Sequence, residues 1–252
     1  MGLKDSALMI HFQPEFKAEP IPIPVQSIPC ENYVFVIANT CVVADKHVTA
    51  PTNYNLRVVE CRLASALLSK KLGIPLSQHG NMKELLDVYL DKHNKSLLEG
   101  FDDTLASVEK TLHKSAYSRE EIAKELGMSV EETEKKYVAG ITIRANGFEL
   151  YKRAKHVFSE AKRVHAFRAV TQGVKPYYSG EVLKDLGSLM DQSQDSCRDL
   201  FNCSCPELDQ LTQICRNAGA FGSRLTGAGW GGKLLIFSLV AYSSRMHSFL
   251  GC

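Results

Sequence analysis

Apolar and polar positions alternate through residues 8–24, interrupted by several prolines, which predicts strands at a sheet edge. Residues 33–43 form a nearly continuous apolar run rich in Val and Ile, the pattern of a buried strand. From Leu56 onward the period changes. Leu56, Val59, Leu63, Leu67 and Leu68 return at helical spacing, with Pro51 and Asn53 as turn and cap residues before them and Gly73 and Pro75 as C-cap and stop after them. Residues 74–115 carry a weaker pattern with helical pieces such as 82–93. Ser118-x-x-Glu121 and Ser129-x-x-Glu132 spell two capping boxes separated by Leu126-Gly127. Leu150, Ala154, Val157, Ala161 and Val164 stripe one face of a long helix over 148–170. A loop over 173–180 precedes helices over 182–197 and 207–218, with Gly219 at the C′ position of the second. A strand's length of apolar residues at 234–240 closes the pattern, and no internal repeat is visible.

Between the last helix and that strand lies Gly222-Ser-Arg-Leu-Thr-Gly-Ala-Gly-Trp-Gly-Gly232, with four glycines in its last six residues. A loop of this density lets the backbone take φ > 0 and approach a phosphate or another backbone closely. Gly227-x-Gly229-x-x-Gly232 fits the dinucleotide fingerprint, and Gly227 to Lys233 spells the start of a P-loop. Both motifs must open a helix, whereas a strand follows here. Leu234 also stands where a P-loop has its magnesium-binding hydroxyl. Both matches are read as accidental.

Composition narrows the field further. The chain of 252 residues is 44% hydrophobic and 23% charged with net charge +2, which does not point to nucleic acid or membrane as a partner. Glu121 to Val130 imitates a DNA-binding helix-turn-helix, but Glu131, Glu132 and Glu134 would face the phosphates, so a plain helical pair is the better reading. Eight cysteines without a signal peptide read as reduced thiols in a cytoplasmic protein. Cys203-Ser-Cys205 is too tightly spaced for a zinc knuckle, and His156 and His165 lack the i, i+4 spacing of helical ligands. Met1-Gly-Leu-Lys-Asp-Ser6 fits a myristoylation pattern, here read as chance, and no run reaches the roughly 18 apolar residues of a membrane span.

The glycine loop also resembles the last motif of the galactokinase branch of the GHMP kinases. The resemblance extends through Cys197-Arg-Asp-Leu-Phe-Asn-Cys-Ser-Cys-Pro-Glu-Leu-Asp209, Leu150-Tyr-Lys-Arg-Ala-Lys-His-Val-Phe-Ser-Glu160 and Phe35-Val-Ile-Ala-Asn-Thr40. Ala50-Pro-Thr-Asn-Tyr-Asn-Leu-Arg-Val-Val-Glu60 is similar to the fungal members in particular. These blocks stand in the family's order over most of residues 8–232. The resemblance implies an α+β fold: a GHMP kinase-like C-terminal, ferredoxin-like α/β sandwich domain with end strands of the N-terminal domain, truncated at both ends. On that comparison residues 1–50 are the final strands of the N-terminal domain. Residues 51–233 are the C-terminal domain with a helical insertion at about 74–147, and 234–252 is an off-family tail. A sheet lacking its closing strands exposes edges and an apolar face, which predicts poor solubility.

The resemblance implies ATP-dependent phosphorylation of galactose at its anomeric hydroxyl, with Mg²⁺ as the accompanying ion. The family's sugar-clamping motif, phosphate loop and catalytic Asp precede the matched region, so no catalytic residue is expected in this sequence and the chain is expected to be inactive alone. Met190-Asp-Gln-Ser193 mimics the segment bearing the catalytic Asp, but its neighbours match a downstream helix, and Asp191 is expected to be a solvated helix residue. Tyr54 matches a sugar-hydroxyl ligand, and it tilts the substrate toward galactose over N-acetylgalactosamine; a half-buried tyrosine at a helix start is the plain alternative. Thr226, Gly227, Ala228 and Gly229 match the loop that braces the phosphate loop, with a structural tight turn as the alternative. Two further readings stay open. One is a galactose- and ATP-sensing regulator that engages a transcriptional repressor, as some fungal relatives do. The other is a fragment with no function.

Overall fold

The computed structural model describes residues 3, 6–12, 15–23, 33–43, 45–78, 80–179 and 181–239. Gly2 of the myristoylation pattern and residues 240–252 of the expected off-family tail lie outside the described residues, whereas 234–239 of that tail are described. Two compact units divide the chain. The first takes residues 1–43, 163–195 and 204–252; the second takes 44–162 and 196–203. Both are assembled from stretches far apart in sequence, so they cut across the linear boundaries at 50/51 and 233/234.

In the first unit β1 (Ser6–His11) and β2 (Lys17–Pro22) form an antiparallel pair with Leu8 opposite Pro20. A separate antiparallel sheet is built from β3 (Tyr33–Asn39), β4 (Gly222–Thr226) and β5 (Lys233–Leu239), in the order β3-β5-β4. Val36 pairs with Ile236 and Ser223 with the same Ile236 from the other side, so β5 is the central strand. β5 is buried over 236–239, while β3 alternates between half-buried and exposed positions. That is the burial difference expected between a central and an edge strand. The core joins Ile23, Val170, Phe237 and Leu239 to Val182, Leu186 and Met190 of helix α8 (Val182–Ser196). Helix α9 (Pro206–Asn217) buries Leu208, Thr212 and Cys215 and lies along β4 and β5.

Helix α8 meets β4 backbone to backbone. A Cβ on Gly187 would stand 2.1 Å from the Phe221 carbonyl oxygen, and one on Gly222 would stand 2.2 Å from that of Gly187. Only glycine fits at either place. This contact lets α8 side chains reach the strand's outer amides. Asp191 Oδ1 accepts from the Ser223 N–H at 2.9 Å and Gln194 Oε1 from the Leu225 N–H at 2.8 Å. Gln194 is held in place by donating to Ser204 and Asp209, and Arg216 pairs with Asp191 at 2.7 Å. β4's outer edge is thereby occupied.

The second unit is helical: α1 (Lys46–Thr49), α2 (Tyr54–Leu72), α3 (Met82–His93), α4 (Leu97–Thr111), α5 (Arg119–Leu126), α6 (Val130–Tyr137) and the first part of α7 (Leu150–Thr171). Val59, Leu63, Leu67 and Leu68 of α2 are buried with Leu85, Phe101, Val108, Ile122, Phe148 and Phe158, which is the apolar stripe expected from the sequence. Both expected capping boxes form, at Ser118/Glu121 and Ser129/Glu132, and so does a third at Ser96/Glu99 that opens α4. Gly73 ends α2 in the left-handed region, φ 60°. Asn53, expected as its N-cap, stands in the N-cap position but makes no side-chain capping bond. The sequence expectation of one helix over 182–197 is also amended, because α8 gives way to a π-helical turn, Cys197–Phe201, ended by Asn202 at φ 53°. The extra residue per turn is accommodated by buried side chains described below.

Candidate functional site

The glycine loop connects β4 to β5. Positive φ angles run through Gly227 (85°), Gly229 (85°), Trp230 (58°), Gly231 (137°) and Gly232 (81°). The end of the loop is pinned by backbone pairing. Gly232 donates to the Val42 carbonyl at 3.1 Å, and its own carbonyl accepts from the Thr40 N–H at 2.8 Å and the Thr40 hydroxyl at 2.9 Å. A Cβ at Gly231 would lie 2.8 Å from the Val42 oxygen, so this glycine serves close backbone packing. The start of the loop differs. Thr226, Gly227 and Ala228 are exposed, and nothing stands within 4 Å of a Cβ built on Gly227. Of the four residues carried over from the family motif, Thr226 is the exposed end of β4, paired with Lys233, Gly227 and Ala228 are exposed in the loop, and Gly229 is buried.

Tyr54 is the first residue of α2 and is 60% exposed, and its hydroxyl makes no hydrogen bond among the described residues. It is therefore wetter than a half-buried helix-start tyrosine. The segment before it is anchored by the Arg144 N–H donating to the Pro51 carbonyl at 3.0 Å, and Asn55 donates its amide to the Thr142 carbonyl at 2.9 Å. Asp191, expected as a solvated helix residue, is instead half-buried and engaged with Ser223 and Arg216. Burial is the largest influence on its carboxyl and pushes it up, while the Ser223 N–H and Arg216 pull the other way.

A buried ionic cluster on α2 was not foreseen from the sequence. Glu60, 1% exposed, accepts from Arg57 Nη1 at 2.7 Å, from Arg153 Nε at 2.6 Å and from the Glu149 N–H at 2.8 Å. Arg57 also donates to the Phe201 carbonyl at 2.6 Å, and Arg153 donates to the Leu200 carbonyl and to Asn202 Oδ1. The two guanidiniums thus take up the carbonyls that the π-turn leaves free. Burial, and after it the neighbouring Arg153 charge, draw the Arg57 guanidinium below its ordinary value, while Glu60 opposes them. The signal available in the sequence was Arg57 and Glu60 at i, i+3, interleaved with the apolar positions 56, 59 and 63.

His156 Nδ1 shares a hydrogen bond with Ser196 Oγ at 2.8 Å and stacks on Phe201, a packing role. Among the described residues no group of three or more His, Cys, Asp or Glu side chains could hold a metal ion. The Mg²⁺ implied by the family resemblance has no ligand set among those residues. Among the described residues no helix is long and apolar enough to cross a membrane.

Residues 180–238 match the family model described as GHMP kinases C terminal. The galactokinase of Dictyostelium discoideum is 40% identical over 98% of this chain and 49% of its own length. That of Saccharomyces cerevisiae is 38% identical over 92% of this chain and 47% of its own. The crystal structure of Lactococcus lactis galactokinase complexed with galactose superposes with a TM-score of 0.59 at 20% identity, over 98% of this chain and 46% of that one, which bears on the fold. The chain thus has the α+β fold of the GHMP kinases, and its residues 180–238 match that family's C-terminal model. Over nearly its whole length it is similar to the galactokinases, and it spans about half the length of the curated relatives it matches.

Proposed function

We propose that this chain supplies the C-terminal share of a galactokinase, an enzyme moving the γ-phosphoryl group of ATP to the anomeric hydroxyl of galactose. The observation that carries the reading is the 40% identity to a galactokinase along 98% of the chain. In this proposal residues 1–50 and 51–233 are the end of one family domain and the body of the next. Tyr54 offers its free hydroxyl to a sugar hydroxyl, since a phenol can donate and accept at once. Thr226, Gly227, Ala228 and Gly229 brace a phosphate-binding loop supplied by sequence beyond this chain. Phosphoryl transfer also needs a phosphate-binding loop and a carboxylate at the reacting hydroxyl, which the family resemblance assigns to sequence before the matched region. The chain is therefore inactive by itself.

The test has two readouts on the purified chain. A coupled assay with galactose, ATP and Mg²⁺ is expected to show no turnover, and turnover would refute inactivity. Galactose is expected to raise the melting temperature, because a ligand that binds only the native state stabilises it. Tyr54→Phe removes one net hydrogen bond of about 1 kcal/mol, so galactose should bind roughly fivefold more weakly. Unchanged affinity in that variant would remove Tyr54 from the sugar site.

A further inference from the structure

The start of α2, where Tyr54 stands, is bonded to a segment 87 residues further along the chain. Asn55 Nδ2 donates to the Thr142 carbonyl at 2.9 Å, and the Arg144 N–H donates to the Pro51 carbonyl at 3.0 Å. One bond thus lies on each side of Tyr54 in the sequence. The segment that receives them is firmly seated. Ile141, Ile143 and Ala145 pack against the helical core, and the alternate residues Thr142 and Arg144 are exposed. Arg119 Nη1 of α5 donates to the Ala145 carbonyl at 3.2 Å and fixes the far end. All of these residues belong to the second unit. The buried stripe of α2 places the helix only from Leu56 on. Before it, the Asn53 and Asn55 N–H groups are met by the Thr49 and Ala50 carbonyls at 2.9 Å, bonds that shape the turn without tying it to the core. Asn53 makes no side-chain capping bond, and helix ends without one fray readily. The clasp to 142–144 is what ties this turn down.

We propose that Asn55 is a positioning residue for Tyr54, holding the phenol where a sugar hydroxyl meets it. The proposal rests on the reading of Tyr54 as a sugar ligand given above. Tyr54 is 60% exposed, so its hydroxyl is placed chiefly by its backbone. A binding group must be held to within about 0.5 Å of its productive place, a tolerance that a fraying first turn does not keep. The Asn55 amide reaches the seated segment from the residue next to Tyr54, so its loss loosens Tyr54 more directly than any loss deeper in α2. Asn55 acts through Tyr54, without touching the sugar.

The test is an NMR titration of the whole chain with galactose, on wild type, Tyr54→Phe, Asn55→Asp and the double variant. Asn55→Asp keeps the side chain's shape, removes its donor and suits the positive end of a helix, so the variant is expected to fold. It should bind galactose roughly fivefold more weakly, the equivalent of one net hydrogen bond. In the double variant binding should be no weaker than in Tyr54→Phe alone, an outcome that a general loss of stability would not reproduce. Before any sugar is added, the amides of residues 53–56 should exchange about fivefold faster in Asn55→Asp than in wild type. Binding weakened by Tyr54→Phe but untouched by Asn55→Asp overturns the proposal and leaves Tyr54 in the sugar site. So do additive losses in the double variant, or unchanged exchange at 53–56. A wild type that binds no galactose, or binding that Tyr54→Phe leaves equally tight, overturns the sugar reading of Tyr54 and this proposal with it.

Discussion

Replacing Glu60 with Gln keeps the side chain's shape and removes its charge. Glu60 bonds two buried guanidiniums, at 2.7 Å from Arg57 and 2.6 Å from Arg153, and it also takes the Glu149 N–H. Arg57 Nη1 and Arg153 Nε share one oxygen, Oε2, so the amide either keeps both arginines and turns its NH₂ group on the Glu149 N–H, or keeps Glu149 and turns that NH₂ on both arginines. Arg153 at 2% exposure cannot turn to water. Breaking a buried pair in this way costs about 3–5 kcal/mol, against about 1–3 kcal/mol for one unsatisfied neutral hydrogen bond. With ~2–4 °C lost per kcal/mol in a chain of this size, the melting temperature should fall on the order of 10 °C. Urea unfolding followed by far-UV circular dichroism measures the loss directly. A second arm fixes the cause: Arg57→Met should be less damaging in the Glu60→Gln background than in wild type, because it then relieves repulsion between two uncompensated charges. A loss below about 1 kcal/mol, or additive effects in the double variant, would refute the view that Glu60 balances this charge.

Two further perturbations address the first unit. Gly222→Ala should destabilise the chain by about 1–3 kcal/mol or more in urea unfolding, since the new methyl meets the Gly187 backbone and no flexible side chain can give way; a neutral result would mean that α8 and β4 part easily. Burial pushes the Cys215 thiol from 9.0 up to about 11, so the folded state holds a proton that the unfolded chain releases. The folded-state pKa being the higher, this stabilisation is whole below pH 9 and is lost as pH rises from there to about 11, at about 1.4 kcal/mol per pH unit. Cys215→Ala should remove that one-proton slope from the alkaline limb of a stability–pH profile, and an unchanged slope would contradict the assignment.

What could be seen in the sequence was what is decided locally. The Ser118 and Ser129 boxes depend on residues three apart and formed as expected, and the α2 stripe follows from periodicity alone. The box at Ser96 was equally local but was missed inside a stretch of mixed pattern. Other features were hidden because they depend on distant partners. Nothing in Cys197 to Phe201 announces a π-turn, since its free carbonyls are met by Arg57 and Arg153, far away in the chain. β4 was masked by the glycines that follow it, and it is a strand only because β5 returns alongside. Tyr54 and Thr226 to Gly229 became visible through the family resemblance, because a tyrosine at a helix start and a glycine turn carry little information by themselves.

The pairing of β3 with β5 also sets a timetable for synthesis. Thr40 and Gly232, which meet at the end of that ladder, are 192 residues apart. At ~5–20 residues per second, β3 emerges from the ribosome roughly 10–40 s before the strand that completes it. The helices of residues 46–137 are bonded within themselves and can begin to form during that interval, whereas the sheet must wait until residues 233–239 are made. Through that delay an uncharged seven-residue strand stands without its mate, and chaperone occupancy on stalled nascent chains should concentrate there until residue 239 has cleared the exit tunnel.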